Sequence, residues 1–330
     1  MEDDIKVIDT VLLLALPASG KSELRRYLEH LDGAESRERY HLGPSVQLDD
    51  YPYVHLMRRI DDELAGLGAA RIFFEAPDRG FADGRDWGTL IELVNEDHAR
   101  LLDLAAPETG GDPVGWLCGR VDRARELVGA PAALAALGRG IREALAGRLA
   151  ADCATIATDL ARGVPESLER RTVVIEFARG GPAGAALPLA GQHGYAYSLS
   201  RLSAAILERA SILYVWVTPE QSRRKNRERT RPDADGSILF HGVPEHVMRN
   251  DYGCDDMEFL LAGSDIRETV RVESRGRIFH LPAARFDNRE DLTTFLRAEP
   301  GSWGGTDLER LRIGLGGAFE SIRRSERARR

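Results

Sequence analysis

Apolar positions in this chain gather into short, nearly unbroken runs: residues 10–16 (TVLLLAL), 172–177 (TVVIEF), 212–217 (ILYVWV) and 277–281 (RIFHL), with a weaker run at 46–48. Runs of β-branched and aliphatic residues without alternation read as strands buried on both faces. Residues 70–75 (ARIFFE) form a sixth candidate. Helix-like stretches lie between the runs. One spans 22–31 and stops near Gly33. Another spans 200–210. A third starts at Thr218-Pro-Glu-Gln221, which offers a capping hydroxyl, a proline at the first helical position and a glutamine at the third. Strands that alternate with helices predict an α/β fold with a parallel sheet and helices on both faces.

Residues 87–161 contain no strand-like run. Their Ala/Leu/Arg pattern, broken at Pro107, Pro113 and Pro131, predicts a helical insertion that caps the substrate side. The Gly/Ala/Pro-rich segment 180–194 predicts a mobile loop directly after a strand. An amphipathic helix over 307–322, followed by RRSERARR, predicts a docked helix with a frayed, solvated end within the terminal segment 300–330. The 330 residues then form a single domain carrying the insertion at 87–161.

Composition narrows the class. With 43% apolar and 30% charged residues the chain is globular rather than disordered. No apolar run approaches the length of a membrane span. The acidic opening Met-Glu-Asp-Asp is unlike a secretory signal. Three distant cysteines (Cys118, Cys153, Cys254) suggest neither a disulfide framework nor a zinc set, so a reduced, cytoplasmic protein is expected. A net charge of −8 argues against coating nucleic acid by bulk charge, though it leaves a local basic groove open.

The sharpest chemical signal is Ala15-Leu-Pro-Ala18-Ser19-Gly20-Lys21-Ser22, which fits G-x-x-x-x-G-K-[ST] with Ala in the first place. In this pattern a turn between strand and helix wraps backbone N–H groups around a β-phosphate. Glycine permits the close approach, lysine reaches the β- and γ-phosphates, and the hydroxyl ligates Mg²⁺. The helix that follows points its positive end at the anion. Only three of the 45 basic residues are lysine, which makes the position of Lys21 more telling. Alanine at position 15 requires that this residue not need a positive φ.

Asp49-Asp50-Tyr51 follows the weak second run. On its own the pair reads as turn residues before Pro52. Together, the phosphate loop and this Asp-Asp-Tyr resemble the uridine-kinase-like branch of the P-loop kinases. The resemblance implies a three-layer sandwich around a parallel sheet of five or slightly more strands, with ATP and Mg²⁺ as cofactors. It implies that Asp49 takes the proton of the acceptor hydroxyl, with Asp50 and Tyr51 toward the substrate and Asp50 also toward the metal. The run ending in Glu176 resembles the next family element, whose acid lies near Mg²⁺ or substrate; Arg179 follows it as a candidate acceptor contact. Phe177 stands where relatives have glycine.

After the fourth run, Arg223, Arg227 and Arg231 recur at four-residue spacing, with Arg224 beside them. Alone this is a solvated or salt-bridged basic face. In the position where P-loop kinases carry a lid, the resemblance implies that these arginines close over ATP and the transferring phosphoryl group. Asn288, after the last run, resembles the family's stretch beside the nucleotide base, and reads equally as the cap of a helix starting at Arg289. The expected function is transfer of the γ-phosphoryl of ATP to a hydroxyl or phosphate of a small, nucleoside- or nucleotide-like acceptor. A kinase of polynucleotide ends or modified DNA bases, and a nucleotide-dependent switch whose insertion binds a partner, remain as alternatives.

Overall fold

The computed structural model describes residues 7–229 and 242–329. In chain order its elements are β1 (Thr10–Leu14), α1 (Lys21–His30), α2 (Gly33–Tyr40), β2 (Ser45–Asp49), α3 (Tyr51–Gly66), α4 (Asp86–Leu102), α5 (Pro113–Leu127), α6 (Arg139–Arg162) and β3 (Thr172–Phe177). Then come α7 (Gly194–Arg201), α8 (Ala204–Leu207), β4 (Ala210–Trp216), α9 (Pro219–Arg229), α10 (Glu245–Asn250), α11 (Met257–Ala262), β5 (Thr269–Ser274), β6 (Arg277–Asp287) and α12 (Gly305–Arg329).

Among the described residues these strands form one six-stranded sheet in the order β2-β3-β1-β4-β6-β5. All pairs are parallel except β5 with β6. The protein is thus α/β, with a mostly parallel sheet covered by helices on both faces. On one face Leu12, Leu14 and Ile212 pack against Ile91 and Val94 of α4 and Leu199 of α7. On the other, Val11, Leu13 and Val215 pack against Leu24 and Tyr27 of α1, Tyr40 of α2, and Leu311, Leu315 and Phe319 of α12.

Two strand expectations change. β5 was not anticipated: its residues TVRVES alternate between buried and exposed as an edge strand does, and charges occupy the outer face. A two-residue turn, Arg275-Gly276, with both residues at positive φ, joins it to β6. β6 runs longer than 277–281 because its first half pairs with β5 and its second with β4. Conversely, residues 70–75 are no sheet strand. The amides of Ile72, Phe73 and Phe74 donate to the fully buried Asp61 carboxylate of α3, and the only pairing is a bridge between Phe74 and Phe81. A side chain there satisfies the backbone that a neighbouring strand would otherwise serve.

The insertion folds as three helices. Pro113 starts α5, where the missing N–H is not needed, and Asp112 caps it through the Gly115 amide (2.9 Å). Together with α3 these helices enclose a second core, built around Met57, Ile60, Leu117, Val121 and Leu149. α4 is buried on nearly every side: Ile91 and Val94 face the sheet, while Leu90 and Leu93 face the inserted helices. The stretch expected as one helix over 200–210 breaks at Ser203, whose hydroxyl caps α8.

Segment 180–194 is a loop but an anchored one. Gly181 exchanges backbone hydrogen bonds with Cys254 and Gly253, and Ala183 donates to Arg249. The C-terminal helix extends to Arg329, past the expected frayed end: Arg323 pairs with Glu326, which accepts from Ser211 of β4. Among the described residues no helix is long and apolar enough to cross a membrane.

His98 of α4 is 1% exposed, and burial pushes its imidazole down from 6.5 to about 4, with Arg209 adding to and Asp9 opposing the shift. The folded state therefore refuses a proton that the unfolded chain accepts below about pH 6.5. Stability attributable to this site is present above that pH and lost as pH falls toward 4. In urea unfolding, His98→Leu should lose about 2 kcal/mol less than the parent between pH 6.5 and 4.5. Equal losses in the two proteins would exclude a buried neutral His98.

Candidate functional site

Residues 15–22 leave the carboxyl end of β1, a strand at the centre of the sheet. From there the chain crosses first toward β2 at one edge and later, after β3, to β4 on the other side of β1. Ligands in open α/β sheets bind where the strand order reverses in this way. Gly20 lies at φ 102° as the residue before α1. A Cβ there would also press on Thr293 Oγ1 and Asn288 Nδ2, so both conformation and space require glycine. Ala18 is left-handed at φ 56°, whereas Ala15 has no positive φ, which explains why alanine is tolerated at the first motif position.

The loop is held from outside. Ser222 Oγ of α9 donates to the Pro17 carbonyl (2.7 Å), and Asn288 Nδ2 donates to the Ser19 carbonyl (2.7 Å). Ser19 Oγ donates to the Leu16 carbonyl (2.7 Å), and Lys21 Nζ to the Ala15 carbonyl (3.1 Å). No side chain caps the start of α1, whose positive end faces the loop.

Asp49 ends β2 and stands in register with Glu176 of β3, which stands in register with Leu13 of β1. The sheet therefore brings both acids to the same end as the loop. Arg25, one turn into α1, bridges them at 3.4 Å from Asp49 Oδ2 and 3.3 Å from Glu176 Oε2. Burial, followed by the neighbouring Glu176 and Asp50, raises the Asp49 carboxyl to about 7; the Tyr51 amide and Arg25 oppose the shift. A single cavity of about 320 Å³ is lined by Ala18 to Ser22 of the loop, by Asp49, Asp50 and Tyr51, and by Glu176.

Four expectations move. Arg179 does not line the cavity as a substrate contact. It is 2% exposed, stacks between Trp87 and Phe177, and donates to Asp50 Oδ2 (2.6 Å) and Ser198 Oγ (2.9 Å). Its donors face protein partners, so it positions Asp50. Asp50 lines the cavity with one oxygen committed to that pair. Asn288 is fully buried and spent on the loop, with Oδ1 accepting from the Leu292 amide; no α-helix starts at Arg289.

The lid arginines also differ. Arg223 pairs with Glu220 (3.0 Å), Arg224 with Glu228 (3.6 Å) and Arg227 with Glu245 (3.4 Å); none lines the cavity. Acids three and four residues away, or on α10, neutralise them locally. Arg231 lies outside the described residues. The buried cation of α9 is instead Lys225, paired with Asp291 (2.8 Å). The reciprocal cap at Thr218 and Gln221 forms, each backbone amide donating to the other's side chain.

Sequence reasoning missed Arg25, although it falls four residues after Lys21 and so shares that helix face. Tyr51, expected toward the substrate, does line the cavity, but His55 and Arg58, which continue that wall along α3 at helical spacing, were missed.

Among the described residues no cluster of three or more acids, histidines or cysteines forms a metal cage. A Mg²⁺ ion, where one binds, commonly takes one or two carboxylates together with substrate phosphates and water. Ser22 and Glu176 are the side chains available for it.

A scan against protein-family models and searches of curated proteins and of solved structures found no match to this chain.

Proposed function

We propose that the protein is an ATP- and Mg²⁺-dependent phosphotransferase that acts on the hydroxyl of a small acceptor, with the sandwich fold of the P-loop kinases. The observation that carries this reading is that the phosphate-loop residues and the aligned Asp49–Glu176 pair line one cavity at the sheet's carboxyl end. The six-stranded, mostly parallel sheet with its loop beside the central strand is compatible with that fold. A cytoplasmic setting follows from the ATP requirement and the unpaired cysteines.

In this reading the amides of residues 18–22 and the Lys21 ammonium hold the β- and γ-phosphates. Ser22 and Glu176 would hold Mg²⁺, which neutralises charge on the phosphates. Asp49 orients the acceptor hydroxyl and takes its proton as oxygen attacks the γ-phosphorus. The bond to the β–γ bridging oxygen breaks, and ADP leaves with that electron pair. A carboxyl near 7 suits a base that must hold and release a proton at neutral pH. Arg25 keeps Asp49 and Glu176 side by side despite their like charge. The arginines of α9 are paired with acids, which gives the polynucleotide reading no support.

The test is transfer of labelled γ-phosphate from ATP into a metabolite panel, together with nucleotide calorimetry. Lys21→Ala should weaken ATP binding by about 10- to 100-fold, the range for losing a hydrogen bond to a charged group. A folded Lys21→Ala protein with unchanged ATP affinity would falsify the phosphate-loop reading.

A further inference from the structure

Beyond Asp50 the cavity continues along α3, whose residue 58 lies about 10 Å from residue 51 at the usual helical rise. Its wall there is aromatic. Phe74 stacks on Phe81 (4.5 Å), Phe81 meets Trp87 edge-on (4.8 Å), and Trp87 meets Tyr252 (5.8 Å). All four rings line the cavity. Within this wall stands Asp251, 8% exposed; its Oδ2 is shut in against Gly80 without a hydrogen-bond partner, so the residue meets the cavity through its other oxygen. A buried carboxylate without a donor is costly, and a ligand donor at that oxygen relieves it.

The charges of this half of the cavity decide what that ligand is. Asp49, Asp50 and Asp251 all line it. The cation on the same wall is Arg58, whose guanidinium lies over Phe74 (3.9 Å) and donates to the carbonyls of Pro77 (3.0 Å) and Arg79 (3.1 Å). Arg58 opposes, and Glu75 adds to, the shift by which burial raises Asp251 to about 6. Among the described residues no arginine fork is directed at an incoming phosphate, the usual device for a phosphorylated acceptor. Ring faces beside a carboxylate are instead the chemistry that recognises an ammonium group.

We propose that the acceptor is a hydroxyl compound bearing a protonated amine and an apolar or aromatic body, the amine held by Asp251 and the faces of Trp87 and Tyr252. The amine site stands on the cavity itself; the role of its ligand as acceptor rests on the phosphotransferase reading. The amine donates to the accessible oxygen of the Asp251 carboxylate, the body lies against Phe81, and the hydroxyl is directed to Asp49. A nucleoside monophosphate brings a second anion to an acidic wall and is rejected.

The experiment measures binding of 2-amino-1-phenylethanol, its N-acetyl derivative and CMP to the full chain by calorimetry without nucleotide, then offers the same compounds as acceptors for labelled γ-phosphate. The amine should bind about tenfold or more tightly than the N-acetyl compound, as expected for a charge-assisted contact. Asp251→Asn should erase that preference, with ATP affinity and thermal melting reporting that the variant is folded. Equal binding of the two aryl compounds, tighter binding of CMP, or no binding of the amine overturns the proposal. The comparison within the unsubstituted protein decides even if the variant does not fold. Amine binding without phosphate transfer upholds the amine site and refutes the phosphotransferase reading alone.

Discussion

Asp49→Asn is expected to slow phosphate transfer by about 10²- to 10⁴-fold, the usual range for loss of a general base, while ATP affinity stays within a few-fold. The substitution keeps the shape at the end of β2 and the acceptor for the Tyr51 amide (2.8 Å). It removes the basic oxygen and the charge. Three carboxylates compete for the role, and their surroundings separate them. Asp50 is tied to the buried Arg179 at 2.6 Å, so its lone pairs already serve an ion pair. Glu176 lies beside β1, next to the loop that would hold the phosphates. Asp49 is the member raised to about 7 by burial among like charges. Rapid-quench transfer assays with Asn at 49 and at 50 check the assignment. A severe loss at 50 with none at 49 would shift the base by one residue. Wild-type rates in both would remove the base from the mechanism.

Arg179→Met is expected to cost about 3–5 kcal/mol of stability, the loss typical when one partner of a buried ion pair is removed. Methionine fills much of the space between Trp87 and Phe177 but leaves Asp50 buried with an uncompensated charge. Adding Asp50→Asn should recover part of that loss, because the stranded charge is then gone. Denaturant unfolding of the two single variants and the double variant tests this. Additive losses would mean that the pair is incidental and that Arg179 acts through packing alone.

Three of the parallel strands were legible because strands buried on both faces are mostly apolar, as 10–16, 172–177 and 212–217 are; β2, at the sheet edge, alternates and left only the weak run at 46–48. β5 escaped because its outward positions, Arg271 and Glu273, are charged, as suits an edge. Residues 70–75 deceived for the opposite reason: Phe73 and Phe74 are buried, yet Asp61 supplies the backbone partner, and nothing local records that. At the candidate site, the turn at residues 15–22 could be placed from the sequence because its residues are contiguous. Asp49 could be placed at the sheet's carboxyl end because that needs only the end of a strand. Arg58 and Asp251 come from separate segments of the chain, and only tertiary folding brings them to one wall; Arg25 reaches Asp49 and Glu176 by the same means. For the arginines of α9, charge spacing along a helix states which residues share a face, not what that face meets. Glu220, Glu228 and Glu245 meet it first.

α4 belongs to two cores at once, with Ile91 and Val94 against the sheet and Leu90 and Leu93 against the inserted helices. A hinge needs a seam of weak contacts, and this helix closes the seam on both sides. Peeling α4 from the sheet, or the other inserted helices from α4, would strip apolar surface from one side or the other of a helix that is wet on neither, at about 25 cal/mol for each Å² exposed. Inserted helices and sheet are therefore one cooperative unit, and disturbing Trp87, which alone of residues 87–161 lines the cavity, disturbs the same helix that supports the sheet beneath β1. Any opening of the cavity has to come from loops at its mouth, not from the inserted helices swinging as a body.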